Sequence, residues 1–162
     1  MTIITLRLAA KSSAALSDYV RSLGLTPKDD FHTTVFYSEE HPLYPRRDVT
    51  DLLNDVLPLV IGPRTYALDC FGGGVPVLTY GSASQVDLRE ALRALAVRHM
   101  ISGPVDDAEE AILEGMKFFR TSKIFDLNPH ITLSKDRIDF TPKQFMEPLV
   151  FDAYTFKQNL AR

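Results

Sequence analysis

The sequence predicts an α+β domain. Two observations carry this: short strand-like runs interleave with helical ones, and several strands return through tight turns instead of forming repeated βαβ units. With 162 residues the chain is long enough for one substantial core, so residues 1–162 are read as a single domain. No linker, low-complexity tract or solenoid repeat divides it.

The elements follow in order. Residues 2–8, rich in Ile, Leu and Thr, read as a strand. A helix is predicted over 13–23, where Leu16, Tyr19, Val20 and Leu23 recur at helical spacing and Gly24 supplies a stop. Residues 31–37 form an aromatic and β-branched strand. After a loop with Pro42 and Pro45, a short helix is expected over 48–57.

Residues 64–71 and 75–80 read as two strands flanking Gly72, Gly73 and Gly74. No Gly-Lys-Ser/Thr follows these glycines, so a hairpin turn is expected rather than a phosphate-binding loop. The clearest helix spans 84–100, with Ser84 as its cap, Asp87 in its first turn and Leu88, Ala91, Leu92 and Leu95 as its apolar face. A further helix is predicted over 108–119, then strands over 128–133 and 149–156.

Composition narrows the function. At 45% apolar and 24% charged residues the chain is of ordinary globular type, not disordered. A net charge of −3 argues against coating duplex nucleic acid, which requires many phosphates to be neutralised, but leaves room for a small phosphorylated ligand. No apolar run reaches bilayer length, and the start lacks the charged segment and cleavage site of a secretory signal, so no membrane is expected. A lone cysteine, Cys70, precludes an internal disulfide and fits the cytoplasm; it is read as a small core residue.

The chemistry lies in a short echo between the halves. Phe31-His32-Thr33-Thr34-Val35 and Pro129-His130-Ile131-Thr132-Leu133 both read His-x-Thr-apolar in strand context. Residues two apart on a strand share a face, so each Thr stands beside its His. Ile131 and Leu133 are expected to face the core, opposite His130, Thr132 and Ser134; Phe31, Val35 and Tyr37 are likewise assigned to the core, opposite His32 and Thr34. Roughly one His in seventeen has Thr at this spacing by composition alone. Two such hits among four histidines in matching contexts favour a paired site over two unrelated structural histidines. Imidazoles near neutrality serve as base and acid, and hydroxyls beside them donate to phosphate oxygens. His32, Thr34, His130 and Thr132 are therefore the candidate catalytic residues.

These motifs resemble those of the 2H phosphoesterases, or LigT-like proteins, whose signature is a pair of H-x-[T/S] motifs on strands of two related lobes. Within that superfamily, FHTTVFYS and NPHITLSK look most like phage-encoded anti-CBASS nucleases, which degrade the cyclic oligonucleotides of bacterial antiphage immunity. The resemblance implies a two-lobed fold with antiparallel sheets around a cleft. It implies metal-independent, cofactor-free hydrolysis of 3′–5′ bonds in a cyclic di- or trinucleotide by internal 2′-OH attack, in the host bacterial cytoplasm. Opening of 2′,3′-cyclic ends on RNA is the alternative within enzymes, and sequestration of a nucleotide without cleavage is the alternative outside them.

Remaining candidates are weaker. Tyr37, Tyr44, Arg46, Arg120, Lys123 and Ser134 are candidate substrate contacts, since cations interleaved with aromatics suit phosphates and bases; Arg47 and Lys117 belong to the same clusters. Asp106, Asp107, Glu109 and Glu110 are read as helix-dipole partners, and no catalytic metal is expected. His41 and His99 lack a threonine partner and are assigned structural or surface roles.

Overall fold

Alternation along β1 (Thr2–Leu8) sends Thr2, Ile4 and Leu6 fully into the core and leaves Arg7 exposed. In the computed structural model, which describes residues 1–39, 43–72, 74–100, 129–136 and 143–158, β1 is flanked antiparallel by β2 (His32–Ser38) and β7 (Leu149–Gln158). The short β3 (Leu59–Ile61) pairs with the far side of β7, giving a sheet of order β2-β1-β7-β3. A second antiparallel sheet holds β4 (Ala67–Phe71), β5 (Val75–Thr79) and β6 (His130–Thr132), in that order. Helices α1 (Ala10–Ser22), α2 (Arg47–Val56) and α3 (Ala83–Met100) complete the described elements, and the whole is α+β as predicted.

Among the described residues β2 and β6 are edge strands of different sheets, and they pack against each other. Both turn apolar side chains into one core, where Phe31, Val35, Ile131 and Leu133 join Leu78, Leu88 and Leu92. A strap before β2 reinforces the junction. Lys28 N donates to Leu133 O at 3.1 Å, Ser134 Oγ donates to Thr26 O at 2.6 Å, and Thr26 N donates to Asp136 Oδ2 at 2.8 Å. The segment entering the first histidine strand is thus tied to the segment leaving the second.

A buried polar chain makes the same connection from behind. Tyr80 Oη donates to Gln85 Oε1 at 2.5 Å, and Gln85 Nε2 donates to Thr33 Oγ1 at 2.9 Å. Burial pushes the Tyr80 phenol far up, so it remains a donor across the working pH range. α3 therefore has Gln85, Leu88, Leu92 and Ala96 on its buried face, a stripe at helical spacing that includes one satisfied amide.

Several expectations need correction. The cap of α3 is Ser82 rather than Ser84: its Oγ accepts from Gln85 N at 3.1 Å, three residues on. Cys70 is exposed, not in the core, because its stretch of β4 has little covering it. Residues 63–65 form a 3₁₀ turn, and the strand expected from 64 begins at Ala67. β3 was not predicted; it has three residues and its central Val60 is 60% exposed, too little pattern to read. The glycine turn does join β4 and β5 as a hairpin, with positive φ at Gly72 and Gly74. His99 clamps α3 to α2 through Asp48 at 3.0 Å, a structural role as expected. The helix predicted over 108–119 and His41 lie outside the described residues.

Replacing Gln85 with Ala strands the Tyr80 hydroxyl and the Thr33 hydroxyl in the core. Urea unfolding is expected to show a loss of about 1–3 kcal/mol; an unchanged midpoint would mean that the buried chain contributes nothing to joining the two sheets.

Candidate catalytic cleft

Pairing register fixes which side chains share a face, because residues directly opposite on antiparallel strands point the same way. On the first sheet His32 lies opposite Arg7, and Thr34 opposite Thr5. On the second, His130 lies opposite Thr79 and Thr132 opposite Val77. Thr33, Ile131 and Leu133 are buried, whereas His32, Thr34, His130 and Thr132 are each half-buried. Both strands commit their other faces to the one core, so each His-x-Thr pair lies on the face of its strand opposite that core.

Each imidazole has an orienting neighbour. His130 stands edge-on to the Phe71 ring, with centroids 4.9 Å apart and planes at 66°. His32 Nδ1 faces Asp30 Oδ2 at 3.5 Å, and Asp30 Oδ1 accepts from Arg7 Nη2 at 2.9 Å. Burial is the largest influence on His32 and lowers its pKa below the ordinary 6.5. The Asp30 carboxylate opposes this by favouring the imidazolium, and Lys28 adds to the lowering. The net direction is down, so His32 is mainly neutral at neutral pH. A neutral imidazole that directs Nδ1–H at Asp30 carries its lone pair on Nε2.

Asp30 and Arg7 were missed in the sequence. Asp30 precedes the strand and reads as loop, and the available signal was an acid two residues before a motif histidine. Arg7 interrupts an apolar strand, and its partnership with His32 exists only through strand pairing.

The other candidates separate clearly. β2 carries a bulge where Val35 has no partner between Thr34, opposite Thr5, and Phe36, opposite Ile4. The extra residue reverses the alternation: Phe36 and Ser38 become buried, and Tyr37 moves from the expected core face to the face of His32 and Thr34. Tyr37 therefore shares the face of His32 and Thr34. Ser134 is not. It is fully buried, its Oγ donating to Thr26 O and accepting from Asp136 N at 3.0 Å, because β6 ends at Thr132 and the chain turns inward. Tyr44 is 47% exposed with the Arg46 guanidinium over its ring at 5.7 Å, at the start of α2, and among the described residues nothing joins this pair to the histidines. Arg120, Lys123 and Lys117 lie outside the described residues, as do Asp106, Asp107, Glu109 and Glu110. Among the described residues no three His, Cys, Asp or Glu side chains converge as a metal-binding cluster, and no helix is long and apolar enough to cross a membrane.

Solved structures share this fold. TT0787, a protein of Thermus thermophilus, superposes with a TM-score of 0.54 over 96% of this chain and 82% of its own, at 20% identity. E. coli LigT complexed with 3′-AMP gives 0.55 over 96% of this chain and 85% of its own, at 15% identity. The chain has the LigT fold. A crystal structure of a phosphoesterase agrees, with a TM-score of 0.56 over 96% and 85% of the two chains, at 14% identity. No protein-family profile matches the chain, and no curated protein matches it in sequence. The likeness to LigT is thus one of fold.

The electrostatics of His32 are directly measurable. Titration of its imidazole by NMR is expected to give a pKa below 6.5. Asp30→Asn removes the influence that raises it and is expected to lower it further. A rise in the Asp30→Asn variant would contradict the contact, and an unshifted value in the native protein would contradict the burial argument.

Proposed function

We propose that this chain is a metal-independent phosphodiesterase acting on a small nucleotide, with His32 as general base and His130 as general acid. The observation that carries the reading is the pair of half-buried His-x-Thr motifs on two strands that pack against each other, with Asp30 beside the His32 Nδ1 at 3.5 Å.

A ribose 2′-OH beside a 3′–5′ phosphodiester is a nucleophile already in place. His32 Nε2 takes its proton as the 2′ oxygen forms a bond to phosphorus. The bond from phosphorus to the 5′ oxygen breaks, and His130, protonated at the start, gives its proton to that leaving oxygen. The Thr34 and Thr132 hydroxyls donate to the non-bridging oxygens as charge grows on them. The product is a 2′,3′-cyclic phosphate and a free 5′-OH. Water can then open the cyclic ester with the roles exchanged, since His32 now holds the proton and His130 lacks one. Asp30 is a positioning residue in this scheme: it fixes the His32 tautomer and stabilises the imidazolium that forms.

The substrate we infer is a cyclic di- or trinucleotide of bacterial antiphage immunity, which makes the protein a phage counter-defence enzyme working in the host cytoplasm. What supports this is the likeness of FHTTVFYS and NPHITLSK to the anti-CBASS nucleases, together with a net charge unsuited to long nucleic acid. A second reading, opening of 2′,3′-cyclic ends on RNA, is favoured by the 3′-AMP held in the similarly folded LigT.

The test is incubation in EDTA with 3′–5′ linked cyclic oligonucleotides and with a linear RNA ending in a 2′,3′-cyclic phosphate, read by mass spectrometry. Linearisation of a ring is expected, with His32→Ala and His130→Ala each slower by about a hundredfold or more. Opening of the RNA end alone would move the protein to the second reading. Tight binding without turnover would make it a nucleotide-sequestering protein, and loss of turnover in EDTA would overturn the metal-free mechanism. The rate is expected to fall on the acid side with a limb below pH 6.5, where His32 becomes protonated; a base-side limb alone would contradict His32 as base. A ring built from 2′-deoxy sugars is expected to resist cleavage, and its rapid turnover would rule out internal attack.

A further inference from the structure

Beside His130 the second sheet ends in an open cavity of about 550 Å³, within the range of roughly 300–1,000 Å³ typical of small-molecule sites. It begins one residue from the candidate acid. Thr79, directly opposite His130, and Pro129, immediately before it, both line the cavity, and the first turns of α3 close the other side through Ala83, Val86 and Asp87.

The polar groups of the wall decide what it can recognise. Thr79 Oγ1 already donates to Ala67 O at 3.2 Å, Thr65 Oγ1 accepts from Gly81 N at 2.8 Å, and Ser82 Oγ caps α3. Tyr80 Oη is committed to Gln85. Asp87 is different: it is exposed, and no hydrogen bond or ion pair engages its carboxylate among the described residues. A carboxylate repels phosphate, so this cavity is unsuited to the phosphate itself and suited to an uncharged part of the substrate that offers N–H donors. Two carboxylate oxygens match two adjacent donors, and among nucleobases guanine presents that pair on one edge, its ring N1–H and exocyclic amine.

We propose that this cavity is a nucleobase subsite beside His130, and that Asp87 selects guanine there. The proposal deepens the phosphodiesterase reading and rests on it for the position of the scissile phosphate. Asp87 also stands at the positive end of the α3 dipole, where any acid is favourable. That contribution is indifferent to which base is bound, so a base-selective readout separates the two roles.

The experiment has a binding arm and a turnover arm. In the first, guanosine, inosine and uridine are titrated into the full chain and into Asp87→Asn, followed by NMR of the Thr79 and Val86 amides. Guanosine is expected to bind most tightly, with inosine, which lacks the exocyclic amine, weaker by about tenfold, the scale of one base contact. Asp87→Asn is expected to remove the difference. In the second arm, the ratio of kcat/KM for guanine- over uracil-containing diesters is expected to fall about tenfold in Asp87→Asn, whether the diester is a ring or a linear RNA. Equal binding of the three nucleosides, or a preference that survives Asp87→Asn, would overturn the subsite while leaving the phosphodiesterase intact. Asp87-dependent guanosine binding without turnover of any diester would support the subsite and overturn the phosphodiesterase.

Discussion

A strand at the edge of a sheet satisfies its backbone hydrogen bonds on one side only, and it must be covered, paired or kept short on the other. Among the described residues β2 and β6 are both edges, and the fold lays one against the other and ties them with the strap at residues 26–28. That junction is the constraint on which the candidate site depends. It fixes which face of each strand enters the common core and therefore which face carries the His-x-Thr pair. The buried chain from Tyr80 through Gln85 to Thr33 acts on the same junction from the core side, so the residue next to His32 is anchored to α3 and, through Tyr80, to the end of β5.

In the proposed mechanism, the role of His32 follows from a balance between burial and charge. Burial makes a neutral imidazole the favoured form, and Asp30 prevents that preference from becoming absolute. A base needs both properties. It must be unprotonated when the substrate arrives and must tolerate the proton once it has taken it. Arg7 holds Asp30 from the other side at 2.9 Å, which keeps the carboxylate in place without occupying the oxygen that faces His32. Nothing of this kind requires long-range architecture beyond three neighbouring side chains and the pairing of β1 with β2.

The facing of the motif side chains was legible in the sequence because strand periodicity is a local property. His32 with Thr34 and His130 with Thr132 follow from a spacing of two, and burial of the alternating Thr33, Ile131 and Leu133 agrees with it. The failures share a cause: each depends on where a regular element stops or is interrupted. The Val35 bulge reversed the face of Tyr37, the end of β6 at Thr132 turned Ser134 into the protein, and the cap of α3 lay two residues before the expected one. Asp30 escaped notice because its role depends on a loop folding back beside the strand it precedes. Cys70 was misassigned because hydrophobic patterning says which face is apolar but not whether anything covers it.

The central claim is that both imidazoles address one phosphate. It is tested most directly by following the ring resonances of His32 and His130 together while a nucleoside 3′-monophosphate is titrated into the protein. Both are expected to shift along a single binding curve, with His32→Ala weakening the response of His130. Movement of one ring alone, or two curves with unrelated affinities, would contradict a shared site.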